Sequence, residues 1–351
     1  MPEDSIEHIN FDELNKRAIS KPLITHIYTA DPSAHVFNGK IYIYPSHDVD
    51  AGEAFDDLGS HFAMEDYHVF SMDSPESEAK DHGVALHVND IPWAEKQMWA
   101  PDANEKNGMY YLFFPAKDYD GIFRIGVAVS NSPMGPFTAQ PEAIKKSFSI
   151  DPAVFKDDDG SYYMYFGGLW GGQLQRWRNE KFKGDEPESP FAHLPQYDEP
   201  ALCPKVAKLT DDLLEFAEDA KDVVIVDENG KPLLQGDNER RFFEASWMHK
   251  YNGKYYFSYS TGDTHFICYA MGHNPYGPFK YAGKILTPVV GWTSHHSIVE
   301  FNHQWFLFYH DSSLSKGKTH LRNIKVTKIE HDKNGFIKTI DPYKHLEPLV
   351  S

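Results

Sequence analysis

Cysteine is nearly missing from this chain. The two in 351 residues, Cys203 and Cys268, share no metal-ligand or redox spacing, which excludes a disulfide framework and a cysteine-based zinc site. Basic residues are scarce as well. Thirty-four Lys and Arg stand against 52 Asp and Glu, for a formal net charge of −18. That balance argues against a nucleic-acid partner, because neutralising phosphates needs clustered cations. No apolar run approaches the ~18 residues that a membrane helix requires. The opening MPEDSIEHINFDELNK is charged and lacks the apolar stretch of a signal peptide. A cytoplasmic protein with no membrane partner is expected, and a homo-oligomer is compatible with the composition. Helical periodicity is equally rare. Only Phe11–Ile19 and Thr210–Ala220 read as helices, the second with Thr210 as its N-cap.

Aromatic side chains, by contrast, are abundant. Twenty Tyr, 24 Phe and 7 Trp make up 15% of the chain, and the 41% hydrophobic fraction is enough for a large core. Most aromatics fall in short runs bounded by Gly, Pro or Asn, which predict strands. Five of these runs repeat one phrase: FNGKIYIYPS from Phe37, KNGMYYLFFP from Lys106, DDDGSYYMYFG from Asp157, YNGKYYFSYS from Tyr251 and FNHQWFLFYH from Phe301. Each is a turn pair followed by an aromatic strand, the pattern of a β-hairpin. The turns at Gly39, Gly108, Gly160, Gly253 and His303 lie 69, 52, 93 and 50 residues apart. A second phrase recurs as SNSPMGPF from Ser130 and GHNPYGPF from Gly272. Repeated units of ~40–50 residues predict an all-β, five-bladed β-propeller. Residues 1–22 are read as an N-terminal extension and 23–351 as a single five-bladed propeller domain. The charged stretch around 179–241 is read as an excursion from the blade array.

Counting back eight or nine residues from each turn reaches Asp31, Trp99, Asp151, Glu244 and His295. Equivalent positions in successive blades ring the central axis, so three carboxylates converge there. A lone Asp-Pro is common at a strand start, and Asp31 and Asp151 both precede proline. Three acids in one ring, amid aromatic surroundings, are harder to assign to solvent. Glycoside hydrolysis needs two carboxyls across the scissile bond, and crowding raises the pKa of the one that must keep its proton. Trp99 would offer a flat face to a sugar.

These residues resemble glycoside hydrolase family 43. The likeness rests on TADPSAHVFNGKIYIY at Thr29–Tyr44, SIDPAVFKDDDGSYYMYFGG at Ser149–Gly168 and FFEASWMHKYNGKYYFSYSTG at Phe242–Gly262, with SHHSIVEFNHQWFLFYH at Ser294–His310 as a fourth segment. It runs from about Leu23 to about Ile340. The resemblance implies a five-bladed propeller that inverts anomeric configuration, with Asp31 as general base, Asp151 as pKa modulator and Glu244 as general acid. It also implies that Arg322, in HLRNIKV, donates to substrate hydroxyls and that His295 lies near a central ion, calcium or another divalent cation. Asp48, closing the SHD of the first motif, is a further candidate for hydroxyl binding. No organic cofactor is expected. The C-terminal β-sandwich of many family xylosidases is expected to be absent.

The implied substrate is an oligosaccharide. The compact domain and the SHD ending resemble exo-acting β-xylosidases that release xylose from the non-reducing end of β-1,4-xylo-oligosaccharides. An α-L-arabinofuranosidase, or dual activity, is the alternative, and arabinanase-like endo action stands behind it. Related fructosidases place Arg before the middle Asp and Cys after the Glu, whereas Ile150 and Ala245 stand here. A non-catalytic glycan-binding propeller would need only one or two of the acids. The Asp157–Asp159 run lacks the acidic twelfth position of an EF-hand, with Gly168 there, and reads as a turn.

Overall fold

The computed structural model describes residues 8–53, 56–184 and 189–344. The first blade consists of β1 (Tyr28–Phe37), β2 (Lys40–Asp48), β3 (Asp66–Met72) and β4 (Lys80–His87). The second contains β5 (Ala94–Lys96), β6 (Asp102–Lys106), β7 (Met109–Asp118), β8 (Phe123–Ser130) and β9 (Thr138–Ala139). The third is β10 (Ala153–Lys156), β11 (Tyr162–Phe166), β12 (Lys205–Lys208) and β13 (Lys221–Asp222). The fourth holds β14 (Ile225–Val226), β15 (Glu244–Tyr251), β16 (Lys254–Ser260), β17 (Ile267–Gly272) and β18 (Phe279–Leu286). The fifth has β19 (His296–Phe301), β20 (Gln304–Asp311) and β21 (Asn323–Ile329). The five sheets are the blades that the repeats predict.

Each aromatic repeat is the second strand of its blade, and the hairpin before it turns as its sequence demands. Asn38-Gly39, Asn107-Gly108 and Asn252-Gly253 all adopt positive φ at both positions, as a tight hairpin of this twist requires. In the fifth blade Asn302 and His303 do the same, at φ 49° and 63°, so His303 occupies a conformation that glycine adopts more readily.

Side chains alternate across a strand, and here both faces are buried. On β2, Ile41 and Ile43 pack with Phe306, Phe308 and Ile324 of the fifth blade, whereas Tyr42 and Tyr44 pack with Leu112 and Phe114 of the second. On β7, Phe113 turns the other way, toward Met164 and Phe166 of the third. A strand between two neighbours must be apolar throughout, which accounts for the unbroken aromatic runs. Each fully buried large side chain contributes ~1.5–3 kcal/mol.

The inner strands β1, β6, β10, β15 and β19 are stitched into a ring by polar contacts. Ser33 Oγ donates to Pro101 O at 2.7 Å, and Val154 N–H to Asp102 Oδ2 at 2.6 Å. Ala245 N–H donates to Asp151 Oδ2 at 2.9 Å, Trp247 Nε1–H to Ile298 O at 3.0 Å, and Ala34 N–H to Ser297 Oγ at 3.0 Å. The last of these closes blade five on blade one. Backbone bonds from Leu23 N–H to Ile324 O and from Thr29 N–H to Arg322 O seal the same junction.

Two sequence expectations need correction. Phe11–Ile19 is helical as α1 (Phe11–Arg17), capped by the Asn10 side chain, but Thr210–Ala220 is not a helix. Thr210 Oγ1 donates to Asp212 Oδ1, Leu213 N–H bonds back to Thr210 O, and Leu209 bridges Phe216. The Thr-Asp-Asp side chains offer the backbone local turn bonds that compete with helix formation. The stretch 179–241 is also not wholly an excursion. Strands β12 and β13 complete the third blade, and β14 pairs in parallel with β18 in the fourth.

Candidate active site

The inner strands deliver one residue each to the mouth of the axis. Asp31, Trp99, Asp151, Glu244 and His295 all line a single cavity of about 590 Å³, with Arg322 from the segment that enters β21. The strand pairing refines the register. The pairs Ala34–Ile43, Ala103–Leu112, Val154–Met164, Met248–Phe257 and Ile298–Leu307 superpose the five hairpins. Counted from them, Asp31, Ala100, Asp151, Ala245 and His295 are the equivalent residues. Glu244 and Trp99 each lie one position earlier. The acids share a mouth but not a register: the third blade's longer turn brings Asp151 into line with Asp31, whereas Glu244 sits one position earlier on a hairpin whose turn is as short as that of blade one.

The backbone at this ring is unusual. Asp31, Asp151 and Ala245 have φ of 52°, 57° and 64°. Such conformations cost ~1–3 kcal/mol each for a non-glycine residue and persist where surrounding contacts over-determine them. The pairing of β1 with β2 slips between Ala30 and Ser33, and that of β15 with β16 between Glu244 and Trp247. The bulges turn the side chains out of the sheet and into the cavity.

Asp31 is buried and held on every side. Its Oδ1 is 3.1 Å from Arg322 Nη1, 3.3 Å from His295 Nδ1 and 3.5 Å from His310 Nδ1, and its Oδ2 accepts from Ser46 Oγ at 2.6 Å. Burial alone would raise its pKa, but Arg322, the two histidines and Ser46 outweigh it and hold the carboxyl down to about 2. Its N–H donates to His310 Nδ1, so that nitrogen is an acceptor and the ring is neutral. Burial pushes His310 down to about 3.

The other two acids go the opposite way. Glu244 opens partly onto the cavity, yet burial and the Asp31 charge raise it to about 8, with Arg322 opposing. Asp151 is pushed well up by burial and by the charges of Glu244 and Asp31. Its Oδ2 accepts the Ala245 N–H, which ties it to the backbone next to Glu244. One carboxylate that stays ionised thus faces two that resist ionisation, the division of labour that acid–base catalysis needs.

Arg322 reaches the cavity with its charge offset. It is buried between Asp31 and Asp48, and Nε and Nη2 donate to the two oxygens of Asp48 at 2.8 Å each. Asp48 is therefore not a hydroxyl-binding acid. Its carboxylate is fully covered and spent on Arg322, which it orients. Trp99 faces the cavity, and its Nε1–H donates to Phe62 O at 2.9 Å. Trp170, Phe243 and Trp292 also line the cavity and pack with ring centroids 5.2–5.7 Å apart. Sequence reasoning missed these three, as well as Ser46, His310, His61 and Asp263. Ser46 and His310 sat inside quoted motifs, but nothing about one strand end says which neighbouring blade it will touch.

His295 is buried and its pKa lies below the ordinary value, burial being the largest cause, so its ring is neutral and can act as a ligand. With Nδ1 facing Asp31, the donor set offered to a calcium ion is one imidazole. Among the described residues, the group of three His and Asp ligand atoms within 4.8 Å of one another lies elsewhere, in the first blade. The residues fit an ion that keeps water as nearly all of its ligands, not one enclosed by protein oxygens.

Comparison with known proteins decides the family. The model for glycosyl hydrolases family 43 matches residues 19–192. A xylosidase/arabinosidase of Humicola insolens is 62% identical over 328 residues, which cover 92% of this chain and 99% of that protein. The chain belongs to glycoside hydrolase family 43. A β-xylosidase of Xylanibacter ruminicola is 58% identical over 315 residues, 89% of this chain and 97% of its own. Among solved structures, a family 43 β-xylosidase/α-arabinofuranosidase from a compost microbial metagenome superposes with a TM-score of 0.90 at 65% identity, covering 92% of this chain and 98% of that one. That structure is described as a xylotriose complex in a calcium-free form. The family 43 chain is thus a glycoside hydrolase with a five-bladed propeller, and its cavity is where the acids of blades one, three and four meet.

Proposed function

We propose that this enzyme is an exo-acting β-xylosidase that inverts configuration, releasing xylose from the non-reducing end of β-1,4-xylo-oligosaccharides, with α-L-arabinofuranosidase as a second activity. The observation that carries the reading is the opposed protonation of Asp31 and Glu244 within one cavity. Water held against Asp31 attacks the anomeric carbon and gives its proton to that carboxylate, while Glu244 protonates the departing glycosidic oxygen as the C–O bond breaks. A carboxylate with so low a pKa is a weak base, but water adding to an oxocarbenium-like carbon is strongly acidified, so constant ionisation matters more than basicity. Asp151 accepts the Ala245 N–H and so fixes the backbone beside Glu244, while the negative charge that raises Glu244 comes from Asp31. Arg322, held by Asp48, offers a guanidinium to sugar hydroxyls. The aromatic walls supply flat apolar surfaces, and the cavity volume is within the ~300–1,000 Å³ of ordinary ligand pockets. The names of the relatives support the xylose and arabinose preference.

The decisive assay compares initial rates on an aryl β-xyloside, an aryl α-L-arabinofuranoside, xylobiose and arabinan, with early-time NMR of the released sugar. Xylobiose and both aryl glycosides should be cleaved and arabinan left largely intact. Xylose should appear first as the α-anomer; a β-anomer at early times would end the inverting assignment.

A calcium ion seated on His295, with water completing its shell, forms part of this proposal, supported by the relative described in calcium-free form. Bound there it would add positive charge beside Asp31. Exhaustive chelation is expected to lower turnover near neutral pH, and added calcium to restore it. Full activity in protein shown metal-free by elemental analysis would leave His295 as an orienting partner of Asp31 alone.

A further inference from the structure

Away from the catalytic cavity, the outer part of blade one gathers imidazoles and carboxylates that the hydrolytic reading does not use. His47, near the end of β2, and Asp66 and His68, on β3, present ligand atoms that all lie within 4.8 Å of one another. The His47 and His68 rings meet edge to face with centroids 4.8 Å apart. The three side chains are 14–19% exposed, open enough for an ion to enter yet sheltered enough to be held in place.

The second layer is what separates this cluster from ordinary surface pairing. His68 Nδ1 lies 2.9 and 3.1 Å from the two oxygens of Asp81, on β4. A carboxylate only accepts, so Nδ1 carries the proton and Nε2 of the neutral ring keeps a bare lone pair. Asp81 is itself fixed, since Oδ1 accepts Gly83 N–H at 2.8 Å and Oδ2 is 2.7 Å from His26 Nε2. A carboxylate orienting a histidine in this way is the usual support of a metal ligand. His47 Nδ1 faces Asp66 Oδ1 at 2.5 Å. By the same rule that contact holds a proton, so an ion that takes Asp66 as its third ligand beside the two rings replaces this hydrogen bond and releases the proton.

We propose that His47, Asp66 and His68 form a binding site for a zinc-class transition-metal ion, with Asp81 as the residue that orients His68. Two imidazoles and a carboxylate, with water in a fourth position, match the tetrahedral preference of Zn²⁺. The same set suits calcium poorly, because calcium prefers oxygen ligands. The ion ties β2 to β3. His47 adjoins Asp48, whose carboxylate grips Arg322, so the site braces the strand end from which the cavity's guanidinium is oriented.

The test uses the full chain, stripped by chelation and then equilibrated by dialysis against micromolar Zn²⁺, with bound metal counted by elemental analysis. Co²⁺ serves as a second probe, because a tetrahedral nitrogen–oxygen site gives strong visible bands. One equivalent per chain is expected. H47Q and H68Q should abolish it, D81N should weaken it by ~10–100-fold, and H295A should leave it intact. Turnover of an aryl xyloside and the circular dichroism of H68Q check that the fold survives; should H68Q fail to fold, H47Q and D81N make the same comparison. No stoichiometric uptake, uptake that persists in H47Q and H68Q, or uptake lost in H295A would each overturn the site, the last by moving the ion to the cavity.

Discussion

Asp31→Asn is expected to lower turnover of natural and activated glycosides alike, by ~10²–10⁴-fold. The amide is nearly isosteric and can still meet Ser46, so the inner strand should keep its path. What disappears is the charge that accepts the water's proton, and no leaving group, however good, replaces that function. The same substitution carries a second signature. The Asp31 charge is, after burial, the main influence raising Glu244 to about 8. Removing it should move the alkaline limb of the residual activity to lower pH. A limb that stays in place would mean that Glu244 is raised by burial alone. The change is also expected to alter acid stability. A carboxyl held at about 2 in the folded protein, below its ordinary value, contributes stability above the ordinary value that is lost as pH falls through about 2. Asp31→Asn should lack that loss, and a urea titration at pH 2 and pH 5 for both proteins reads it directly.

The sequence made the propeller legible because blade packing leaves a periodic mark. A strand buried on both faces must be apolar at every position, and a tight hairpin needs positive φ at two, so Tyr-rich runs after Asn-Gly announce five blades without reference to long-range contacts. The acids were legible for the same reason, since repetition says which residues reach the axis. The limits are equally physical. Counting from turns assumed one hairpin length, and the longer Asp157–Ser161 turn made Asp151 look aligned with Glu244 when it shares the position of Asp31 and Ala245. Asp48 looked free to bind a hydroxyl until the fold brought Arg322 onto it, 274 residues away in sequence. Thr210–Ala220 has helical spacing, yet side-chain bonds at Thr210 and Asp212 redirect it. The aromatic wall of Trp170, Phe243 and Trp292 draws on loops of blades three, four and five, and nothing in a single repeat marks such a convergence.

The Glu244→Gln variant should separate substrates by their leaving groups. On xylobiose, whose departing sugar hydroxyl is a poor leaving group, loss of the acid should cost ~10²–10⁴-fold in kcat/KM. On an aryl xyloside with a strongly acidic phenol, the oxygen leaves without a proton and the loss should be far smaller. A plot of log kcat against phenol pKa should therefore steepen in the variant, because protonation no longer levels the series. The pH profile supplies an independent check. With Glu244 raised to about 8, the native enzyme keeps its acid protonated through neutrality and loses activity as pH rises through that value. Glutamine cannot ionise, so the variant's residual activity on the activated xyloside should lose that alkaline limb. Asp151 gives the contrast. It touches the Ala245 backbone, so Asp151→Asn should leave the leaving-group dependence close to native. Equal losses of Glu244→Gln on both substrates would instead assign the proton to another group, and Asp151, the second carboxyl whose pKa burial and its neighbours raise, would be the residue to test next.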